Sequence, residues 1–191
     1  MTRLDTADHA TLPWRIHEIT ADFRLEDVWA FRTPGAGPDD FPTMLAKLRA
    51  PGEDQPLLAR SLFKARWKLG ELFGWDRESH GLGSRVTSLR DRLPDDLRKA
   101  PRGLDNPSMP LKAVYELDNE CARELANNTV HAVMHLSWAQ RPDGEYELRM
   151  AVLVKPNGWW GRAYMAAIAP FRHLVVYPAM TRQWERAWLS R

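Results

Sequence analysis

Cysteine is nearly absent from this chain. Cys121 stands alone among 191 residues, which excludes an internal disulfide framework and fits a reducing compartment. An excess of one charge is missing too: 27 basic residues against 25 acidic leave a net charge of +2, so no electrostatic footprint for nucleic acid is expected. Long apolar runs are also lacking. The most apolar stretch, AYMAAIAPFRHLVVYPAM at 163–180, is split by Arg172 and His173 into pieces well short of the ~20 residues that a membrane-spanning helix needs. The opening MTRLDTADHATLPW has no apolar core of a secretion signal, so a cytoplasmic protein is expected. The run GLGS at 81–84 completes no GxGxxG and follows no strong strand, which removes a nucleotide loop. Nothing calls for a cofactor.

What is present is aromatic weight. Nine tryptophans imply either a large aromatic core or an aromatic-lined cavity. Residues 1–12 read as a flexible arm and 13–191 as one domain. The alternation in WRIHEIT (14–20) predicts a first strand. Asp22 then caps a predicted helix carrying Leu25, Val28, Trp29 and Arg32, ended by Pro34-Gly35. A second helix follows Pro38-Asp39-Asp40 through Leu48. A third is predicted over 55–73, from the helical spacing of Leu58, Leu62, Ala65, Leu69 and Phe73. Its row Arg60, Lys64 and Lys68 offers a weak possibility of membrane-surface contact, though such rows are more often solvated faces. Residues 74–110 are rich in Gly, Pro and charge and carry little pattern.

From Leu111 the period changes to two. LKAVYELD, ECARELA, TVHAVMHLSWAQ and EYELRMAVLVK read as four consecutive strands, with hairpin turns at 118–119, 127–128 and 142–144. A long helical segment follows to the C-terminus, with kinks expected at Pro170 and Pro178. His131 and His135 therefore lie on a strand, roughly 13 Å apart at ~3.3 Å per residue, and cannot share one metal ion. The helical zinc reading also fails because His-Ala-Val-Met-His lacks the glutamate of HExxH. No metal site is expected.

A two-residue turn at Asn127-Asn128 would place Glu124 opposite His131 and Glu120 opposite His135. Two carboxylates then meet two imidazoles on one face, and each carboxylate should raise its partner's pKa. These pairs read as cross-strand charge pairs, solvated or under a covering helix, with an acid/base dyad as the catalytic alternative. The same register puts Cys121 and Arg123 on the apolar face. There Cys121 would be an inert small hydrophobe, while Arg123 would need an anionic ligand head or an internal acid. A one-residue slip or bulge that turns Arg123 outward is the simpler outcome.

A strand, helices, an antiparallel sheet and a long C-terminal helix is the order of the helix-grip fold, an α+β architecture. The segments LDNECARELANNTVHAVMHLSW, YELRMAVLVKPNGWWGRAYMAAIAPFRHLVVYPAMTRQWERAW and RLPDDLR resemble the uncharacterised bacterial family called domain of unknown function 2867. That family is grouped with START-like (SRPBCC) helix-grip proteins. The resemblance implies a sheet around the last helix with a ligand cavity between them, and brings no established activity. Alternation together with this resemblance nominates Tyr115, Arg123, Met134, Leu136, Met150 and Val152 from the sheet, and Tyr164, Ile168 and Phe171 from the helix. Their expected partner is a small hydrophobic or amphipathic molecule. Two alternatives stay open: an acid/base enzyme using Glu120, Glu124, His131 or His135, and a protein-interaction module, for instance a reductase accessory, exposing Trp75, Trp184 or Trp188.

Overall fold

The computed structural model describes residues 2–49, 82, 86–105, 111–127 and 129–190. Strand β1 (Thr2–Leu4) leads through short helices α1 (Thr6–Ala10) and α2 (Ile16–Ile19) to β2 (Arg24–Phe31) and helix α3 (Phe41–Arg49). A 3-10 turn (Leu89–Arg92) and α4 (Asp95–Lys99) precede β3 (Lys112–Glu116), β4 (Glu120–Ala126), β5 (Val130–Gln140) and β6 (Tyr146–Pro156). The C-terminal helix comprises α5 (Gly158–Phe171), a π-helical turn (Arg172–Val176) and α6 (Tyr177–Leu189). The strands form one antiparallel sheet in the order β1-β2-β6-β5-β4-β3. The fold is α+β, with a long C-terminal helix on one sheet face, as the helix-grip expectation requires.

The N-terminal third departs from its sequence reading in three places. Residues 2–12 are no loose arm: Thr2–Leu4 pair with Val28–Ala30, and His9 of α1 is buried. WRIHEIT forms a short helix, because Ile16 and Ile19 at i and i+3 both reach the core. The predicted helix after Asp22 is instead β2. Val28, Trp29, Ala30 and Phe31 are all buried, and a strand covered on both faces reads as a continuous apolar run that helical spacing can mimic. The second predicted helix, α3, is present. The predicted helix over 55–73, its basic row, and the GLGS run except Leu82 lie outside the described residues.

All four C-terminal strands are where alternation put them. Arg141 N–H donates to Glu145 O at 2.7 Å, and β5 and β6 pair even residue with even residue, Met134 with Val152 and Leu136 with Met150. The β4–β5 hairpin turns one residue later than expected, with Asn127 N–H donating to Val130 O at 3.0 Å. Asn127 Oδ1 holds this turn by accepting from the Thr129 and Val130 N–H groups. Pairing therefore shifts by two: Ala126 faces His131 and Glu120 faces Ser137. A shift of two leaves every side chain on its predicted face.

The kinks expected at Pro170 and Pro178 take the form of the π-helical turn. Neither proline has an N–H to donate, so the carbonyls of Ala166 and Leu174 lose their i+4 partners. Tyr177 N–H donates to Arg172 O, five residues back. The wider turn brings Arg172, His173 and Tyr177 together over the sheet.

Candidate functional site

The two sheet faces handle their polar groups in opposite ways. On one face lie Glu120, Glu124, His131 and His135, beneath α1, α2 and the 89–97 segment, with Ile16, Ile19, Leu89, Leu93 and Leu97 in the same core layer. His135 is fully buried. Its Nε2 lies 2.7 Å from Glu120 Oε2, which also accepts from the Tyr115 hydroxyl at 2.9 Å, while Oε1 accepts the Arg15 N–H at 2.8 Å. Burial would raise Glu120, but these donors more than offset it and hold the carboxyl below its usual value. His135 is lowered, chiefly by burial, against the pull of Glu120. The expectation that the carboxylate would raise this histidine is thus corrected: desolvation outweighs the charge. A neutral His135 donates from Nε2 to Glu120, so its Nδ1 accepts from His9 Nε2 at 2.9 Å. Burial pushes His9 down to about 3, and its Nδ1 finds no partner among the described residues.

Glu124 is met as fully. It accepts from His131 Nε2 at 2.8 Å and from Leu89 N–H at 3.0 Å, and Ser88 Oγ donates to its other oxygen. The pairs are therefore real, but diagonal across the strands and covered, not solvated. All four members are buried, and among the described residues no three His, Cys, Asp or Glu side chains converge as metal ligands would.

The other face is less complete. It carries two apolar clusters. One joins Trp29, Phe31, Phe41, Leu136, Trp138, Leu148 and Met150 to Tyr177 and Trp184 of α6. The other joins Val130 and Val154 to Met165 of α5. Between them one row crosses four strands in register: Asp27 (β2), Val152 (β6), Met134 (β5) and Arg123 (β4). Val152 and Met134 lie on interior strands yet are only half-buried, as are neighbouring Ala132 and Leu125. The middle of this face is incompletely covered by the helix above it.

Both ends of the row are buried and charged. Asp27 is 1% exposed. It accepts from the Tyr177 hydroxyl at 2.9 Å, pairs with Arg172 and Arg3 at 3.3 Å each, and lies 3.5 Å from His173 Nε2. Burial chiefly pushes the Tyr177 hydroxyl up, so it remains a donor. Beside it, Trp29 packs against His173 and Tyr177, and both Trp29 Nε1 and Arg172 Nε lack partners among the described residues. At the opposite end Arg123 is 8% exposed and makes no hydrogen bond or ion pair among the described residues. The nearby Asp105 feels it only weakly, after its own partners. No slip or bulge in β4 turns Arg123 outward; the irregularity falls on β3, between Ala113 and Tyr115.

That irregularity corrects one nominated residue. Tyr115 pairs opposite Ala122 and donates to Glu120, so it lies on the closed face and not the helix-facing one. Arg123, Met134, Leu136, Met150 and Val152 share the helix-facing side, with Leu136 and Met150 sealed in the α6 cluster. Ile168, like Val152, packs against the Val130–Val154–Met165 cluster, Phe171 is half-buried at the end of α5, and Tyr164 lies within α5. Cys121 is buried and its thiol pushed up to about 12, an unreactive position as expected. Sequence reasoning missed Asp27, Trp29, Arg172, His173 and Tyr177. The signal for three of them was the PFRHLVVYPAM run, where Arg172 and His173 interrupt an otherwise apolar stretch.

The chain belongs to the family described as protein of unknown function DUF2867, whose pattern matches residues 19–179. The match spans β2, the four C-terminal strands and the π-helical turn with Arg172, His173 and Tyr177. No curated protein and no solved structure matches the chain.

Proposed function

We propose that the protein binds a small amphipathic anion between the sheet and its C-terminal helix, along the Asp27–Val152–Met134–Arg123 row. The observation that carries this reading is Arg123. Its side chain is largely buried on the helix-facing side with no ion pair among the described residues, and an anionic group of a ligand would supply one. Half-buried Met134 and Val152 supply an apolar floor. Three interstrand spacings separate the two charged ends, roughly 14 Å at ~4.8 Å per strand. The ligand's anionic end would meet Arg123 and its apolar body would lie over half-buried Met134 and Val152 towards Asp27. A START-like kinship of the family and a cytoplasmic location are part of the same proposal. Burial of the Glu–His pairs favours binding over acid/base catalysis.

Two fluorophores with the same ring system test it: 1-anilinonaphthalene-8-sulfonate, an anion, and its neutral parent N-phenyl-1-naphthylamine. Preference for the anion by about tenfold or more, removed by Arg123→Leu, is the expected result. Equal affinity for both probes, or a preference that survives Arg123→Leu, would remove the anchoring role.

A further inference from the structure

We propose that the outward face of α5 docks on an anionic lipid surface. This inference rests on the solvent side of the C-terminal helical segment, chiefly α5, and is independent of the ligand reading. Two glycines set the first turn. Gly158 takes φ +66, which side chains disfavour, and a Cβ on Gly161 would collide with the Thr129 carbonyl. The helix thus starts tight against the β4–β5 hairpin, and Trp159 and Trp160 are turned out to solvent. They are 58% and 67% exposed and stack on each other at 3.9 Å. Ala163, Ala167, Pro170 and Leu174 continue the exposed line at helical spacing, with Leu174 77% exposed. An apolar stripe ending in paired tryptophans is a face that water does not favour.

Charge selects the occupant. No acidic residue occurs between Glu147 and Glu185, whereas Arg162, Arg182 and Arg186 are exposed along the same helical segment. None of these three arginines makes an ion pair among the described residues. By contrast Lys155 is held by Asp22, and Arg149 by Glu147. A second copy of the chain across a two-fold axis would set these like charges against each other. A lipid surface takes both features: indole rings lodge at headgroup level and arginines meet lipid phosphates. No described helix is long and apolar enough to cross a membrane, so the contact would be interfacial.

Co-sedimentation of the full chain with phosphatidylcholine vesicles, alone or with about a third phosphatidylglycerol, tests the proposal. The expected result is binding to the anionic vesicles that falls with salt, is at least about tenfold weaker on neutral ones, and shifts tryptophan emission to the blue. Trp159→Ser with Trp160→Ser, and separately Arg162→Glu, should each weaken it while leaving circular dichroism unchanged, since all three side chains are exposed. A wild-type protein that stays in solution with anionic vesicles overturns the proposal, as does binding undiminished in the double variant. A concentration-dependent dimer that those substitutions abolish, without vesicle binding, also overturns it and assigns the face to a second copy.

Discussion

The two faces of one sheet bury charge in different ways. Under the N-terminal segment, Glu120 and Glu124 each take three donors from at least two directions, and their histidines are packed beneath short helices. Under the C-terminal helix, Asp27 is as well supplied, but Arg123, three strands away, makes no hydrogen bond or ion pair among the described residues. A satisfied buried network specifies a packing arrangement, whereas a largely buried cation with no ion pair among the described residues is what the proposed ligand would complete. From sequence the paired carboxylates and imidazoles read first as cross-strand charge pairs, with catalysis as the alternative, and the structure buries them under the N-terminal segment.

The contrast can be broken by substitution. Glu120→Ala should cost about 3–5 kcal/mol in urea unfolding, because three donors, two of them buried, lose their shared acceptor. A loss below ~1 kcal/mol would show that water or another side chain replaces it. Acid should act on the same face. His9 is held at about 3 against an ordinary 6.5, so the folded state resists its protonation. Its contribution is complete above pH 6.5 and is lost as pH falls below that value. From pH 7 to pH 5 the loss is on the order of 2 kcal/mol at 1.36 kcal/mol per unit. Unfolding at the two pH values measures it, and His9→Gln should flatten the dependence. Hydrogen exchange over residues 2–19 should rise first, as the covering segment lets go.

Smaller effects belong to the helix side. Arg123→Met should leave stability unchanged or raise it by about 1 kcal/mol, since a largely buried side chain with no ion pair among the described residues gives way to an apolar one. Destabilisation beyond ~1 kcal/mol would reveal an internal partner and dissolve the contrast between the faces. The smallest expectation is chemical: Cys121 should resist a disulfide-exchange reagent in the native protein and react only on unfolding, because its buried thiol is pushed up to about 12.

How much of this was legible follows from how each region buries its residues. Strands β3 to β6 announce themselves by alternation and turn residues, and β5 and β6 confirm each other's register. β2 is covered on both faces and so loses alternation, and with it Asp27 was hidden in what read as a helix. WRIHEIT failed the other way, since two isoleucines three apart inside a seven-residue window imitate a strand. The Glu–His pairs were readable as neighbours, but their depth was not. That depth comes from the N-terminal segment folding over the sheet through His9 and Ile16, contacts with no local signature. The π-helical turn was foreshadowed by its two prolines, and what it gathers became visible only with β2 beneath it. Trp184 and Trp188 illustrate the same limit: the first is buried on Phe31 and the second partly buried against Trp138, whereas the exposed pair is Trp159 and Trp160.

The most direct test compares native and denaturing mass spectra of the protein purified from its own host, with Arg123→Leu alongside. The account predicts a discrete excess mass on the native wild type that disappears on unfolding, is absent from Arg123→Leu, and belongs to a small molecule with an anionic group. Wild-type protein that carries no excess mass, or a bound molecule that is neutral and persists in Arg123→Leu, would contradict it.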